Sequence, residues 1–189
     1  MKTKAASVEN LTLKDGYTPR GLVFVPTFNC TAMCRHCNND LGRHDLSKKM
    51  DIKRAVELLY EAKTLGLNSI QMTGGELTMY PEFMLGLIPH ARKLAIRVNK
   101  PPTNCYIGGV PENAALFFNR LKAAGYTSGF RLSLDPYHNG KIPVSWVAAF
   151  IREYGRVFGY KSLTIGSSNR DRESIFALYE KLKEELHIS

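Results

Sequence analysis

Apolar positions in this chain alternate between short continuous runs and longer stretches at helical spacing. Gly21 to Pro26 is continuously apolar and reads as a first strand, buried on both faces. A polar segment follows through about Lys49. Asp51 then predicts an N-cap for a helix carrying Ile52, Ala55, Val56, Leu59, Ala62 and Leu65, with Gly66 as its stop. Asn68 to Met72 predicts a second strand. Pro81 opens a second helix at its first turn, running to about Leu94 with a kink expected at Pro89. Ala95 to Val98 begins a third strand, which continues irregularly toward Cys105. Pro111 opens a third helix with Ala114, Ala115, Phe117, Phe118 and Leu121 inside and Gly125 at its end. Phe130 to Leu134 predicts a fourth strand. A fourth helix after Pro143 carries Trp146, Val147, Phe150, Ile151, Tyr154 and Val157. Ser162 to Ile165 predicts a fifth strand, and Asp171 to His187 a fifth helix carrying Ile175, Phe176, Leu178, Tyr179 and Leu182.

Strand and helix thus alternate in the manner of parallel βαβ units, which predicts an α/β fold with helices covering the sheet. Residues 1–20 read as a polar N-terminal lead-in and residues 21–189 as one core domain, long enough to bury a sizeable core. Parallel sheets place their sites at the carboxyl ends of strands. The chemistry-bearing stretches of this sequence all sit there. A cysteine cluster follows the first strand, Thr73-Gly-Gly-Glu76 the second and Asn104-Cys105 the third. Asp135-Pro-Tyr-His138 follow the fourth, which ends through Ser133 and Leu134, and Gly166-Ser-Ser168 the fifth.

Composition narrows the class. Of 189 residues, 44% are hydrophobic and 23% charged, as in ordinary globular domains. No apolar stretch reaches the ~18 residues of a transmembrane helix, so no membrane association is expected. The N-terminus has basic residues without an apolar block behind them, so no secretory signal is expected. The formal net charge is +9, spread rather than blocked. Such a surface attracts anions non-specifically, but without a basic arm or a recognised nucleic-acid motif no nucleic-acid partner is expected.

Cys30, Cys34 and Cys37 lie in the stretch Cys-Thr-Ala-Met-Cys-Arg-His-Cys. Thiolates packed so densely suit a soft metal or an iron–sulfur cluster. With only Cys105 elsewhere and no secretory signal, metal binding in a reducing, cytoplasmic setting is expected rather than disulfides. Three thiolates are one short of a closed four-thiolate site. Such a three-thiolate site is one ligand short, as three protein ligands leave catalytic zinc.

The Cys-x3-Cys-x2-Cys spacing, with His36 before the last cysteine, and the Gly74-Gly75-Glu76 motif after the second strand resemble the signatures of the radical S-adenosylmethionine (radical SAM) enzymes. The resemblance runs from about residue 21 to the end and implies a partial (β/α) barrel. It implies a 4Fe–4S cluster on Cys30, Cys34 and Cys37, with SAM on the open iron, reduced by a donor such as flavodoxin or ferredoxin. It further implies oxygen-sensitive cleavage of SAM to a 5′-deoxyadenosyl radical, which takes hydrogen from a substrate, a peptide or a small molecule. Gly74 and Gly75 would let the backbone pass close to SAM, and Glu76 would accept from its ammonium. Ser133 and Asp135 fall where relatives contact the SAM ribose, His36 beside the adenine or the cluster, and Ile165 behind the adenine.

Two positions carry open roles. His138 is either a proton donor or acceptor at the mouth or a surface loop histidine. Cys105 replaces the glycine of a Thr-Asn-Gly stretch common in the family. It is either a catalytic group near the radical or a small buried residue. The family's full barrel has six strands, whereas five are predicted here, with His187-Ile188-Ser189 as the start of a sixth. The open edge beside the fifth strand calls for a covering helix, partner or dimer. The alternative function is a non-catalytic zinc or iron–sulfur module acting through a protein or RNA partner, with His36 or His44 as an extra ligand.

Overall fold

The computed structural model describes residues 19–37, 39, 44–168 and 171–188, so the lead-in of residues 1–20 lies outside the described residues except for its last two. The expected alternation is present as β1 (Gly21–Phe24), α1 (Ile52–Thr64), β2 (Ser69–Met72), α2 (Pro81–Lys93) and β3 (Arg97–Val98). It continues with β4 (Pro102–Thr103), α3 (Pro111–Ala123), β5 (Arg131–Ser133), α4 (Pro136–Asn139), α5 (Val144–Phe158), β6 (Thr164–Gly166) and α6 (Arg172–Leu186).

Helix ends follow local chemistry. Asp51 accepts from the Arg54 N–H at 2.7 Å and starts α1. Gly66, at φ 79°, ends it, with Gly66 N–H on Lys63 and Leu67 N–H on Ala62. Pro81 and Pro111 occupy first-turn positions where a missing N–H costs nothing. Helix α2 continues through Pro89 as helix, with Phe83, Met84, Leu87, Ile88 and Ala91 buried along its inner side.

Among the described residues all strand pairs are parallel, and they form two three-stranded sheets, β1-β2-β3 and β4-β5-β6. The sequence predicts one irregular third strand, and that strand is divided between the sheets. Asn99 N–H still reaches the Ile70 carbonyl at 2.8 Å, while the Pro101 carbonyl already accepts from Arg131 N–H at 3.0 Å. Pro101 and Pro102 have no N–H to give, so the ladder to β2 cannot pass them.

Helices cover one face of the sheets. Phe24, Ile70, Met72 and Leu132 meet Leu59, Phe83, Phe118 and Phe150 in one core. Phe118 packs edge-on to Phe150 and Tyr154, at 4.9 and 5.3 Å between ring centroids, locking α3 to α5. The expectation that the first strand is buried on both faces is corrected. Val23 is 59% exposed, because β1 is an outer strand whose second face carries no helix.

At the other margin β6 pairs only with β5, and of α6 only Leu182 is buried. His187 closes α6 in the left-handed conformation at φ 56°, and no strand begins at residues 187–188. Among the described residues the sheets therefore remain an open, partial barrel.

Candidate active site

The chain leaves β1 at Phe24 and turns through Pro26 and Thr27 into the cysteine loop. Thr27 forms a bridge with Lys49, and its hydroxyl accepts from Asn29 N–H at 3.0 Å. Cys30, Cys34 and Cys37 are free and partly exposed. The Cys37 N–H closes a turn on the Cys34 carbonyl at 3.1 Å. Two other strand ends reach the thiols: the Asn104 amide donates to Cys30 Sγ at 3.5 Å, and Cys34 Sγ donates to the Tyr137 carbonyl at 3.4 Å.

Burial pushes the Cys30 thiol up, partly offset by peptide N–H groups of Ala32 and Met33. Burial, followed by the neighbouring charges of Cys30, Asp135 and Cys37, pushes Cys34 up to about 11. As free groups these residues are thiols, so loading a cationic centre must displace protons and depends on pH. The donor set fits an iron–sulfur cluster: three soft ligands on one loop, with N–H donors at the sulfurs, where such contacts tune potential.

The Gly74–Glu76 loop lies against this turn. Gly75 N–H donates to Thr27 O and Glu76 N–H to Asn29 O, both at 2.7 Å. A Cβ at Gly75 would fall 2.1 Å from the Asn29 carbonyl oxygen. Gly74 takes φ 128°, and a Cβ there would meet Thr27 O at 2.5 Å. Both glycines are thus required by contact with the cysteine loop.

Glu76 is buried at 2% exposure. Its Oε1 accepts from Thr78 N–H at 2.9 Å and from the hydroxyls of Thr78 and Thr103 at 2.7 Å. Its Oε2 accepts from Asn104 N–H at 2.8 Å. One carboxylate thereby fixes the loops after β2 and β4.

Past β5, Asp135 is fully buried and caps α4, a short helix lying between the expected fourth strand and fourth helix. Its Oδ1 accepts from the Tyr137 and His138 N–H groups at 3.0 and 3.1 Å, and it lies 2.8 Å from His138 Nδ1. Its Oδ2 accepts from Ser168 N–H at 3.2 Å. Burial raises its pKa, but the His138 and Ser168 contacts outweigh that and hold it low. The His36 ring stands 4.7 Å from Tyr137 and 5.0 Å from His138, with a buried Nδ1 that has no partner. The donor atoms of His36, Asp135 and His138 lie within 4.8 Å of one another. His44 is stacked on Phe28 at 3.9 Å.

A cavity of about 400 Å³ opens among these parts. Cys30, Cys34, Cys37 and His36 line it, with Gly74, Gly75 and Glu76 beside them and Ser133 and His138 opposite. Asp135 stands behind His138. Ile165 and Cys105 do not line the cavity. Ile165 faces the helix layer beside Tyr179 and Leu182. Cys105 is wholly buried in the core at φ 68°, its thiol pushed well up by burial.

Sequence reasoning assigned no role to Arg131, Thr103 or Ser168. Arg131 was findable: it is the charged member of an otherwise apolar alternation, Phe130-Arg-Leu-Ser-Leu134.

No protein-family model matches the chain. A PqqA peptide cyclase from Streptomyces rochei is 28% identical over 81 residues, 43% of this chain and 22% of that protein. Native anSMEcpe with bound AdoMet superposes with a TM-score of 0.58 at 17% identity, covering 86% of this chain and 49% of that one. Streptococcus suis SuiB bound to the precursor peptide SuiA gives 0.53 at 20%, covering 90% and 38%. The chain thus spans less than half the length of the proteins it matches. The structural likenesses establish the fold, and no helix of the described residues is long and apolar enough to cross a membrane.

Proposed function

We propose that this chain is a member of the radical SAM superfamily and the SAM-cleaving core of a peptide-modifying enzyme, a reading supported by its two motifs together with its fold. The observation that carries the reading is the convergence of three loop thiols, the Gly74–Glu76 loop and the β5 end on one cavity. A 4Fe–4S cluster held by Cys30, Cys34 and Cys37 would supply the electron that splits SAM into methionine and a 5′-deoxyadenosyl radical, which takes hydrogen from substrate.

The residues of the chain bind and aim. Gly74 and Gly75 keep a bare backbone wall beside the thiols. Glu76 offers the remaining acceptor capacity of Oε2 to the SAM ammonium, while its other contacts hold it still. Ser133 presents a hydroxyl for the ribose. His138, oriented by Asp135, is placed to hold or move a proton at Nε2. His36 shields the thiols. Cys105, buried in the core, is placed as a packing residue. A peptide substrate is proposed from the PqqA peptide cyclase and from SuiB with its precursor peptide, and a small flavodoxin or ferredoxin as electron donor in the cytoplasm.

The test is anaerobic. The protein is reconstituted with iron and sulfide, then given reductant and SAM, and 5′-deoxyadenosine is quantified beside iron and sulfide per chain. The expected result is a filled cluster and 5′-deoxyadenosine well above a Cys34→Ala control. Zinc binding with intact SAM would overturn the reading in favour of a metal-binding module.

A further inference from the structure

The sheet face turned away from the helices is built from the strand residues that do not enter the core. In the first sheet, Gly21, Ser69 and Arg97 stand in register, followed by Val23 and Gln71. In the second, Pro102, Arg131 and Thr164 stand in register, followed by Ser133 and Gly166. Between the sheets, Lys100 crosses to donate its Nζ to Thr164 Oγ1 at 2.9 Å. Arg131 passes over Gly166, where a Cβ would lie 3.6 Å from its Cγ and Cδ, and lines the thiol cavity.

Three cations therefore share a face whose rows contain no carboxylate. Among the described residues, none of Arg97, Lys100 and Arg131 forms an ion pair. Without an ion-pair partner among the described residues, the two guanidiniums keep donors for an outside acceptor.

We propose that this face seats a carboxylate-rich segment of a peptide substrate, extended along the sheet with its reacting residue toward Cys30. The inference rests on the radical SAM reading and adds the substrate's charge. Spacing favours an extended chain. Arg97 and the row of Arg131 are five residues apart along one strand path (97 to 102), roughly 15 Å, too far for a single small carboxylate. No aromatic side chain stands in these rows to stack a base, which disfavours a single-stranded nucleic acid. Among the described residues the outer edge of β6 pairs with no strand, so it adds backbone groups beside Thr164 for strand-like pairing.

The test uses fluorescence anisotropy with a short labelled peptide of alternating glutamate and serine, beside its lysine–serine counterpart. The acidic peptide is expected to bind and the basic one not. Arg131→Gln and Lys100→Gln should each weaken binding roughly fivefold and flatten its salt dependence. Lys53→Gln, the same charge loss on the exposed side of α1, should leave it unchanged. Equal effects of all three variants would overturn the proposal, as would displacement by free glutamate at peptide-like concentrations or stronger binding of an oligouridylate. Lys100→Gln keeps the test decisive if Arg131→Gln fails to fold, with circular dichroism as the check. Peptide binding is read without the cluster, so a failed 5′-deoxyadenosine assay with intact acidic-peptide binding counts against the reaction alone. The converse result counts against this face alone.

Discussion

At the junction beneath the thiols, one buried carboxylate accepts four hydrogen bonds from two loops, and two glycines let backbones touch. At the margin beside β6, Phe176, Tyr179, Tyr160 and Ile165 are 40–65% exposed, and the last three line an apolar groove of about 790 Å³. The two regions use opposite materials. The first is polar and closed, with four donors sharing one carboxylate, so a single change orphans several groups. The second is apolar and half-open, and a single change removes little that is buried. Volume is therefore a poor guide to the site in this molecule, since the roomier groove carries none of the thiols.

The contrast is most severely tested at Gly75. Gly75→Ala should destabilise the fold by about 3 kcal/mol, since backbone rather than a flexible side chain must move. A thermal midpoint within a degree or two of wild type would show that the loop yields. Glu76→Ala should cost about 2–3 kcal/mol and weaken SAM binding, because Thr103, Thr78 and Asn104 lose their acceptor together. Urea denaturation and SAM titration read the two losses separately.

Cys105→Ala should cost about 1 kcal/mol and leave the yield of 5′-deoxyadenosine and product unchanged, as expected of a packed thiol outside the cavity. A collapse of product with normal stability would return Cys105 to the chemistry. Phe176→Ser should change stability by less than about 0.5 kcal/mol. A markedly larger loss, dependent on protein concentration, would mean that the margin is covered in solution.

Much of this was legible because it is local. The cysteine spacing, the Asp51 cap and the prolines at the starts of α2 and α3 act within a turn or two of their own positions. The partners of Glu76 were not legible, because Thr103 and Asn104 lie 27 and 28 residues away. The division of the third strand was half-legible. Pro101-Pro102 announces a break, but which neighbour each side serves depends on sheet order. The exposure of Val23 was missed for a related reason: an apolar run does not say whether its second face will be covered. The role of Gly75 in seating the cysteine loop is likewise a tertiary fact.

The interrupted ladder also changes how the molecule can be loaded mechanically. Backbone pairing cannot carry shear from β2 to β5 across Pro101-Pro102, so the two halves are riveted there by side chains. Glu76 is the chief rivet, with Thr78 on one plate and Thr103 and Asn104 on the other, and Lys100 to Thr164 is a second. A ligand that draws on the Glu76 carboxylate therefore pulls at the seam itself, and the angle between the plates becomes a gauge of what occupies the cavity.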